Sequence, residues 1–303
     1  MSAAAAQPAH LLAVPNVSEG TDERVIGLIT DAIAAEAAVL DTHSDAIHNR
    51  TVFTLAPHAD RAGAALAAVA GAAMEHIDLR DHTGEHPRIG ALDVAPVIWL
   101  EPGRREAAQA EALRAAAAIA DLEVPVFLYG DLARAPERRE RAFFRNGGLA
   151  ALGARMAAGE LQPDFGPAEP HPSAGATLVT ARPPLAAFNV ELDGASLAAA
   201  REIASVLRES GGGPVGVRAI GLELGEGLTQ VSTNVHDPIA VPLAEVVARV
   251  AELAAGHGAR VVAAEIVGLV PRAALVGFPA DVPVPGFDPV RGVLEERLRQ
   301  VAE

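Results

Sequence analysis

The chain has 303 residues, half of them hydrophobic, and a formal charge of −15 at pH 7, with an isoelectric point near 5.1. A chain of this length holds two domains or one large one, and its acidity argues against nucleic acid or an anionic membrane as partner, since both need a basic surface. Cysteine and lysine are both absent, which excludes disulfides, thiolate chemistry and lysine Schiff bases and leaves arginine as the one permanent side-chain cation, suited to planar carboxylates. No apolar run approaches the roughly 20 residues of a membrane span, and the N-terminal stretch lacks the basic start of a secretory signal. A cytoplasmic protein acting on small molecules is expected.

In chain order, Leu11–Val17 reads as a strand, followed by a helix capped near Thr21 whose apolar face is Val25, Leu28, Ile29 and Ala32. Val39–Asp41 and Thr51–Leu55 read as strands joined by a polar loop, Thr42–Arg50. His58–Ile77 is an Ala-rich helix, Val94–Leu100 a strand, Arg104–Asp121 a helix and Val124–Leu128 a strand, after which an arginine-rich run covers Asp131–Arg145. Leu161–Gly175 carries four prolines, Pro163, Pro167, Pro170 and Pro172, and by composition is a linker. Beyond it the same order returns: strand Leu185–Leu192, helix Ser196–Arg208, strands Val215–Leu224 and Leu228–Ser232, helix Leu243–Ala255, strand Val261–Ile266 and a closing helix Arg291–Ala302. Two βαββαβ runs predict an α+β chain of two tandem ferredoxin-like (split βαβ) subdomains, residues 9–182 and 183–303. Each would carry helices on one sheet face, with the two sheets facing across a ligand cleft or tunnel.

Two polar stretches interrupt this apolar background. Asp78–Val94, DLRDHTGEHPRIGALDV, places Asp81, His82, Glu85, His86, Arg88 and Asp93 in a segment that Gly84, Pro87 and Gly90 prevent from forming one helix. The second is Thr42–Arg50 itself. His43, Asp45, His48, His82 and His86 are ligand types for a metal, but their spacing is weak evidence in a chain with ten histidines. The alternative is acid–base work by a histidine oriented by a carboxylate. His86 has Glu85, Arg88 and Asp93 near it in sequence, and His82 remains its rival. No GxSxG elbow is present, and Gly211–Gly213 precedes a proline and a strand rather than a helix, so it reads as a turn.

Eight segments then combine: VPNVSEG at Val14–Gly20, HNRTVFTL at His48–Leu55, GEHPRIGALDV at Gly84–Val94, VPVFLYG at Val124–Gly130, PDFGP at Pro163–Pro167, AFN at Ala187–Asn189, QVSTN at Gln230–Asn234 and VGLVP at Val267–Pro271. Together, in register, they resemble the glutamate formimidoyltransferase family. The resemblance implies transfer of the formimino group of N-formimidoyl-L-glutamate to N5 of tetrahydrofolate, in a fold of two α/β subdomains around a ligand tunnel. It implies that His86 is the catalytic histidine and that a folate-binding loop falls on Gly166, Pro167, Ala168, Glu169, Pro170, His171, Pro172, Ser173, Ala174 and Gly175. Substrate contacts are expected from His43, Asp45, His48, Asn49, Arg50, Arg88, Tyr129, Arg138 and Arg139. Tetrahydrofolate enters as one-carbon acceptor, no metal is expected, and a homodimer is in keeping with the family.

Two departures bear on the substrate. Animal members of the family have a sequence like DVDAGPSTNR where this chain has DTHSDAIHNR, so His43 stands in place of an acid, and Asp45 and His48 are additional. Ala174 stands where the family can carry an aromatic residue. The chain ends after one C-terminal helix, without a cyclodeaminase-like domain, so release of the folate product to another enzyme is expected. A changed donor or acceptor, or a folate-binding protein without turnover, are the alternatives.

Overall fold

The computed structural model describes residues 11–46, 48–84, 87–225 and 227–302. The chain divides into two compact units between Arg182 and Pro183, and the fold is mixed α+β with one sheet in each.

The first unit begins with β1 (Leu11–Ala13) and β2 (Asn16–Val17), which behave as one strand interrupted at Val14–Pro15. Both lie between β4 (Arg50–Pro57) and β5 (Leu92–Trp99), with Ala13 opposite Leu55 and Asn16 opposite Val52 in unbroken register. Pro15 has no N–H to give to a ladder, which accounts for the gap. Helix α1 (Glu23–Ile33) starts at Asp22, whose carboxylate accepts from Arg24 N and Val25 N, and it buries Val25, Ile29 and Ile33. Strand β3 (Ala37–Asp45) forms a hairpin with β4. Helices α2 (Ala62–His76) and α3 (Arg105–Ala120) pack with α1 over one sheet face, closing a core that includes Ile29, Phe53, Leu66 and Val97. Two further strands, β6 (Val126–Leu128) and β7 (Thr177–Arg182), extend the sheet in the order β4–β2–β5–β7–β6, parallel to β5. Helices α4 (Arg141–Arg145) and α5 (Gly148–Ala157) pack on the opposite face, where Phe127, Phe144, Leu152, Met156, Leu178 and Val94 form a second core.

The second unit runs β8 (Leu185–Asp193), α6 (Leu197–Leu207), β9 (Val217–Gly225), β10 (Leu228–His236), α7 (Leu243–Gly256) and β11 (Arg260–Val267). Its sheet is antiparallel throughout, in the order β11–β8–β10–β9. Strict alternation along β8 turns Ala186, Phe188, Val190 and Leu192 toward the helices. Two short helices, α8 (Pro289–Gly292) and α9 (Leu294–Ala302), close the chain. Among the described residues no helix is long and apolar enough to cross a membrane.

The structure differs from the sequence reading at several places, among them strand β7, which the reading did not include. The polar segment Thr42–Arg50 is not a loop throughout: β3 continues through Asp45, and Asp45 lies opposite Arg50. The long helix expected over His58–Ile77 begins as a 3-10 turn, His58–Asp60, with α2 starting only at Ala62. Leu161–Gly175 is not a linker between units, because β7 follows it inside the first unit. Helices on one sheet face describe α1–α3, but α4 and α5 occupy part of the other face, held by the aromatic residues of the arginine-rich run.

Candidate active site

Three segments of the first unit converge on the GEHPRIG stretch. Glu85 and His86 themselves lie outside the described residues, but both flanks are held. Asn49, in a left-handed conformation at φ 49°, accepts from Gly20 N at 2.8 Å and donates to Thr83 O at 2.7 Å, so it ties the β2–α1 turn to the start of the stretch. Arg88 donates to Gly84 O at 3.0 Å and His82 O at 2.9 Å, tying itself to the N-terminal flank of the stretch. On the far flank, Ser18 Oγ donates to Gly90 O at 2.7 Å and Ser18 N to Ala91 O at 2.8 Å. The His171–Gly175 turn completes the frame: Leu79 N donates to Ser173 O, Ala91 N to Ala174 O and Ala176 N to Ile89 O, each at 2.8–2.9 Å.

That turn has a clear local cause. His171 and Gly175 exchange backbone hydrogen bonds of 2.8 and 2.9 Å, and the His171 ring nitrogen Nδ1 accepts from Ala174 N at 3.0 Å. Gly175 sits at φ +69°, and a Cβ there would fall 2.1 Å from Ile89 O; one on Gly90 would fall 2.1 Å from Ala176 O. Two backbones pass too closely for any side chain. Ala168, Glu169 and Pro172 are exposed, so the outer side of the segment is open to a ligand, while Ala174 is buried in the core.

Beside this frame lies a cluster of guanidinium groups on the sheet face that α4 covers. Arg50 donates to Asn16 Oδ1, and Arg145 binds Asp93, whose other oxygen accepts from Ile89 N at 2.8 Å. Arg182 is hydrogen-bonded to the Tyr129 side chain. Burial lowers the Arg50 pKa to about 10; Asp93 and Tyr129 oppose the fall, and the nearby charges of Arg145 and Arg141 add to it. Burial likewise lowers Arg182 to about 10, with Tyr129 opposing and Arg141 contributing. His82 is half-buried and its pKa is also lowered, first by burial and then by the charge of Arg88. Its Nδ1 is buried without a hydrogen-bond partner. Glu19 behaves oppositely: burial pushes its carboxyl up, but hydrogen bonds from Asp22, Thr21 and Gly20 outweigh this and hold it below the usual range.

The expected contact residues divide into groups. Asn49, Arg50 and Tyr129 belong to the frame and cluster just described. His43 lies exposed on β3, and Asp45 and His48 pair with each other at 2.5 Å across the hairpin turn. Arg88 serves the loop. Arg138 is bound to the buried carboxylate of Asp164 at 2.7 Å and lies over Phe127 and Phe144, and Arg139 is an exposed partner of Asp131 at 3.5 Å. Sequence reasoning named neither Arg141, Arg145 nor Arg182 as site residues. An arginine ending the buried run of β7 was the available signal for Arg182. Among the described residues no group of three or more His, Asp or Glu side chains is placed to hold a metal ion.

In the second unit the AFN and QVSTN motifs fall on adjacent strands, with Asn189 opposite Ser232. Asn189 Nδ2 donates to Glu265 on β11 at 2.8 Å, forming a polar patch on the sheet face away from α6 and α7.

Comparison with known proteins gives two family matches: the formiminotransferase domain, N-terminal subdomain, over residues 10–182, and the formiminotransferase domain over residues 187–280. A glutamate formimidoyltransferase of Streptococcus pyogenes serotype M1 is 36% identical over 290 residues, covering 94% of this chain and 97% of that protein. One from Thermoplasma acidophilum is 34% identical over 296 residues, covering 95% and 97%. The formimidoyltransferase-cyclodeaminase of Sus scrofa is 39% identical over 277 residues, covering 87% of this chain and 50% of that longer protein.

Proposed function

The chain belongs to the formiminotransferase family, and from that premise we propose that it transfers the formimino group of N-formimidoyl-L-glutamate to N5 of tetrahydrofolate, with His86 as general acid and base. The finer fold reading goes with it: each unit is a split βαβ, ferredoxin-like subdomain. The reaction requires N5 to attack the formimino carbon, a base to take the N5 proton, and an acid to protonate the departing glutamate nitrogen. An imidazole, with an ordinary pKa near 6.5, does both in turn. No covalent nucleophile is needed, in keeping with a chain that has neither cysteine nor lysine.

The observation that carries this reading is the double anchoring of the His86 segment. Thr83 and Gly84 are held by Asn49 and Arg88, and Ile89–Ala91 by Ser18 and the His171–Gly175 turn. Flanks tied in this way suit a segment that has to work against two substrates. Gly166–Gly175 is the segment proposed to meet the folate, through its open outer side, with Arg50 and Tyr129 toward ligand carboxylates. His43 on β3 and the Asp45–His48 pair at the hairpin turn are proposed to shape acceptor or donor access. Arg88, Arg138 and Arg139 keep a supporting place in this reading: the first ties to the N-terminal flank of the stretch, and the other two hold Asp164 and Asp131.

Incubation with tetrahydrofolate and formimidoylglutamate is expected to yield 5-formimidoyltetrahydrofolate. His86→Ala is expected to fold and to bind folate while turnover drops by about 10²–10⁴-fold. Near wild-type turnover in that variant rejects the role of His86, and binding without any product in the wild type rejects the reaction.

A further inference from the structure

We propose that Arg141 and Arg145, with Arg50, Arg182 and the Tyr129 hydroxyl, form a subsite for a glutamyl carboxylate. The assignment rests on the reaction read above.

Arg141 and Arg145 stand four apart on α4, which puts both on one side of the helix. The helix is fixed by Phe144, fully buried between them and packed on Phe127 at 5.2 Å. Arg145 gives one guanidinium nitrogen to Asp93, while its Nε is buried with no hydrogen-bond partner; the side chain is only 10% exposed. Arg141 is half-buried and makes no hydrogen bond or ion pair with any described residue. Its charge nevertheless bears on both Arg50 and Arg182 and lowers their affinity for a proton.

The neighbouring arginines are employed differently. Arg134 and Arg138 share Asp164, and Arg105 and Arg139 share Asp131. In a molecule of net charge −15, several guanidinium groups gathered at one half-buried place repel one another, and an incoming anion relieves that repulsion. The planar fork of arginine matches a carboxylate with paired hydrogen bonds. Two sources present this chemistry: the glutamate portion of the formimino donor, and the glutamyl tail of the folate.

The test is binding by the purified chain and its Arg141→Ala and Arg141→Gln variants, read by calorimetry. Four ligands are compared: L-glutamate, L-glutamine, tetrahydrofolate, and tetrahydropteroate, which lacks the glutamyl tail. Loss of the Arg141 charge is expected to weaken one glutamyl ligand by about 10–100-fold, leaving the analogue without that carboxylate unchanged. KM for the same ligand should rise with kcat within about threefold. A loss confined to L-glutamate assigns the donor; a loss for tetrahydrofolate but not tetrahydropteroate assigns the tail. Unchanged affinity for both in a folded variant overturns the subsite, and Arg141→Gln serves if the alanine variant is unstable. Because binding is read without turnover, an inactive wild type would reject the reaction while the subsite is still decided.

Discussion

The surroundings of His82 favour its uncharged form, since burial and the Arg88 charge both disfavour the imidazolium and lower its pKa. The unfolded chain protonates this ring at the ordinary value of about 6.5; the folded chain does so only at lower pH. Its contribution to stability is therefore complete above about pH 6.5 and is lost as pH falls from there through the lowered pKa. The melting midpoint between pH 7.5 and 5 should fall more steeply in the wild type than in His82→Gln, and parallel curves would remove His82 from the account. The same scale shows what residue types conceal. Arg88, Arg138 and Arg50 are alike in sequence, yet one ties to backbone carbonyls of its own stretch, one neutralises Asp164 and one joins the buried cluster. Sequence alone left His82 and His86 as rivals, and family resemblance, not composition, chose His86.

At the scale of elements, α4 and α5 decide how the first sheet presents its second face. Phe144 contacts both Phe127 and Phe143, with ring centroids 5.2 and 5.1 Å apart, and Arg138 lies over Phe127 and Phe144. Phe144→Ala should cost about 3–5 kcal/mol of stability, visible as a lowered denaturant midpoint; a loss under about 1 kcal/mol would show that α4 is not anchored by this side chain. Helix α4 escaped the sequence reading because a five-residue helix inside a run dense in arginine has too few turns to display a period. Strand β7 escaped because it is buried on both faces and shows no alternation. The polar hairpin misled for the converse reason. His43 and Ser44 are exposed on a strand at the sheet edge, where polar side chains are ordinary, and composition alone reads them as loop.

At the scale of the whole molecule, 39 acidic against 24 basic residues give a net charge of −15, a source of repulsion between copies at neutral pH. Acidification toward the isoelectric point near 5.1 should bring a solubility minimum, measurable as turbidity in a scan from about pH 4.5 to about pH 6; uniform solubility across the range would show that charge does not govern association. Much of the architecture was legible in order of elements, because apolar runs of strand and helix length repeat in both halves and burial follows from hydropathy. The second unit in particular follows its predicted order, β8 to β11, with alternation intact. The chemistry classes open to the chain were also settled by its residues, since absent cysteine and lysine remove whole mechanisms. What only the tertiary structure decided is which polar groups meet. Asn49 reaches Thr83 across 34 positions, Ser18 reaches Gly90 across 72, and Arg145 reaches Asp93 across 52. Hydrogen bonds and ion pairs depend on distance in space, and sequence separation carries no measure of it until the sheet brings β2, β4, β5 and the α4 helix together.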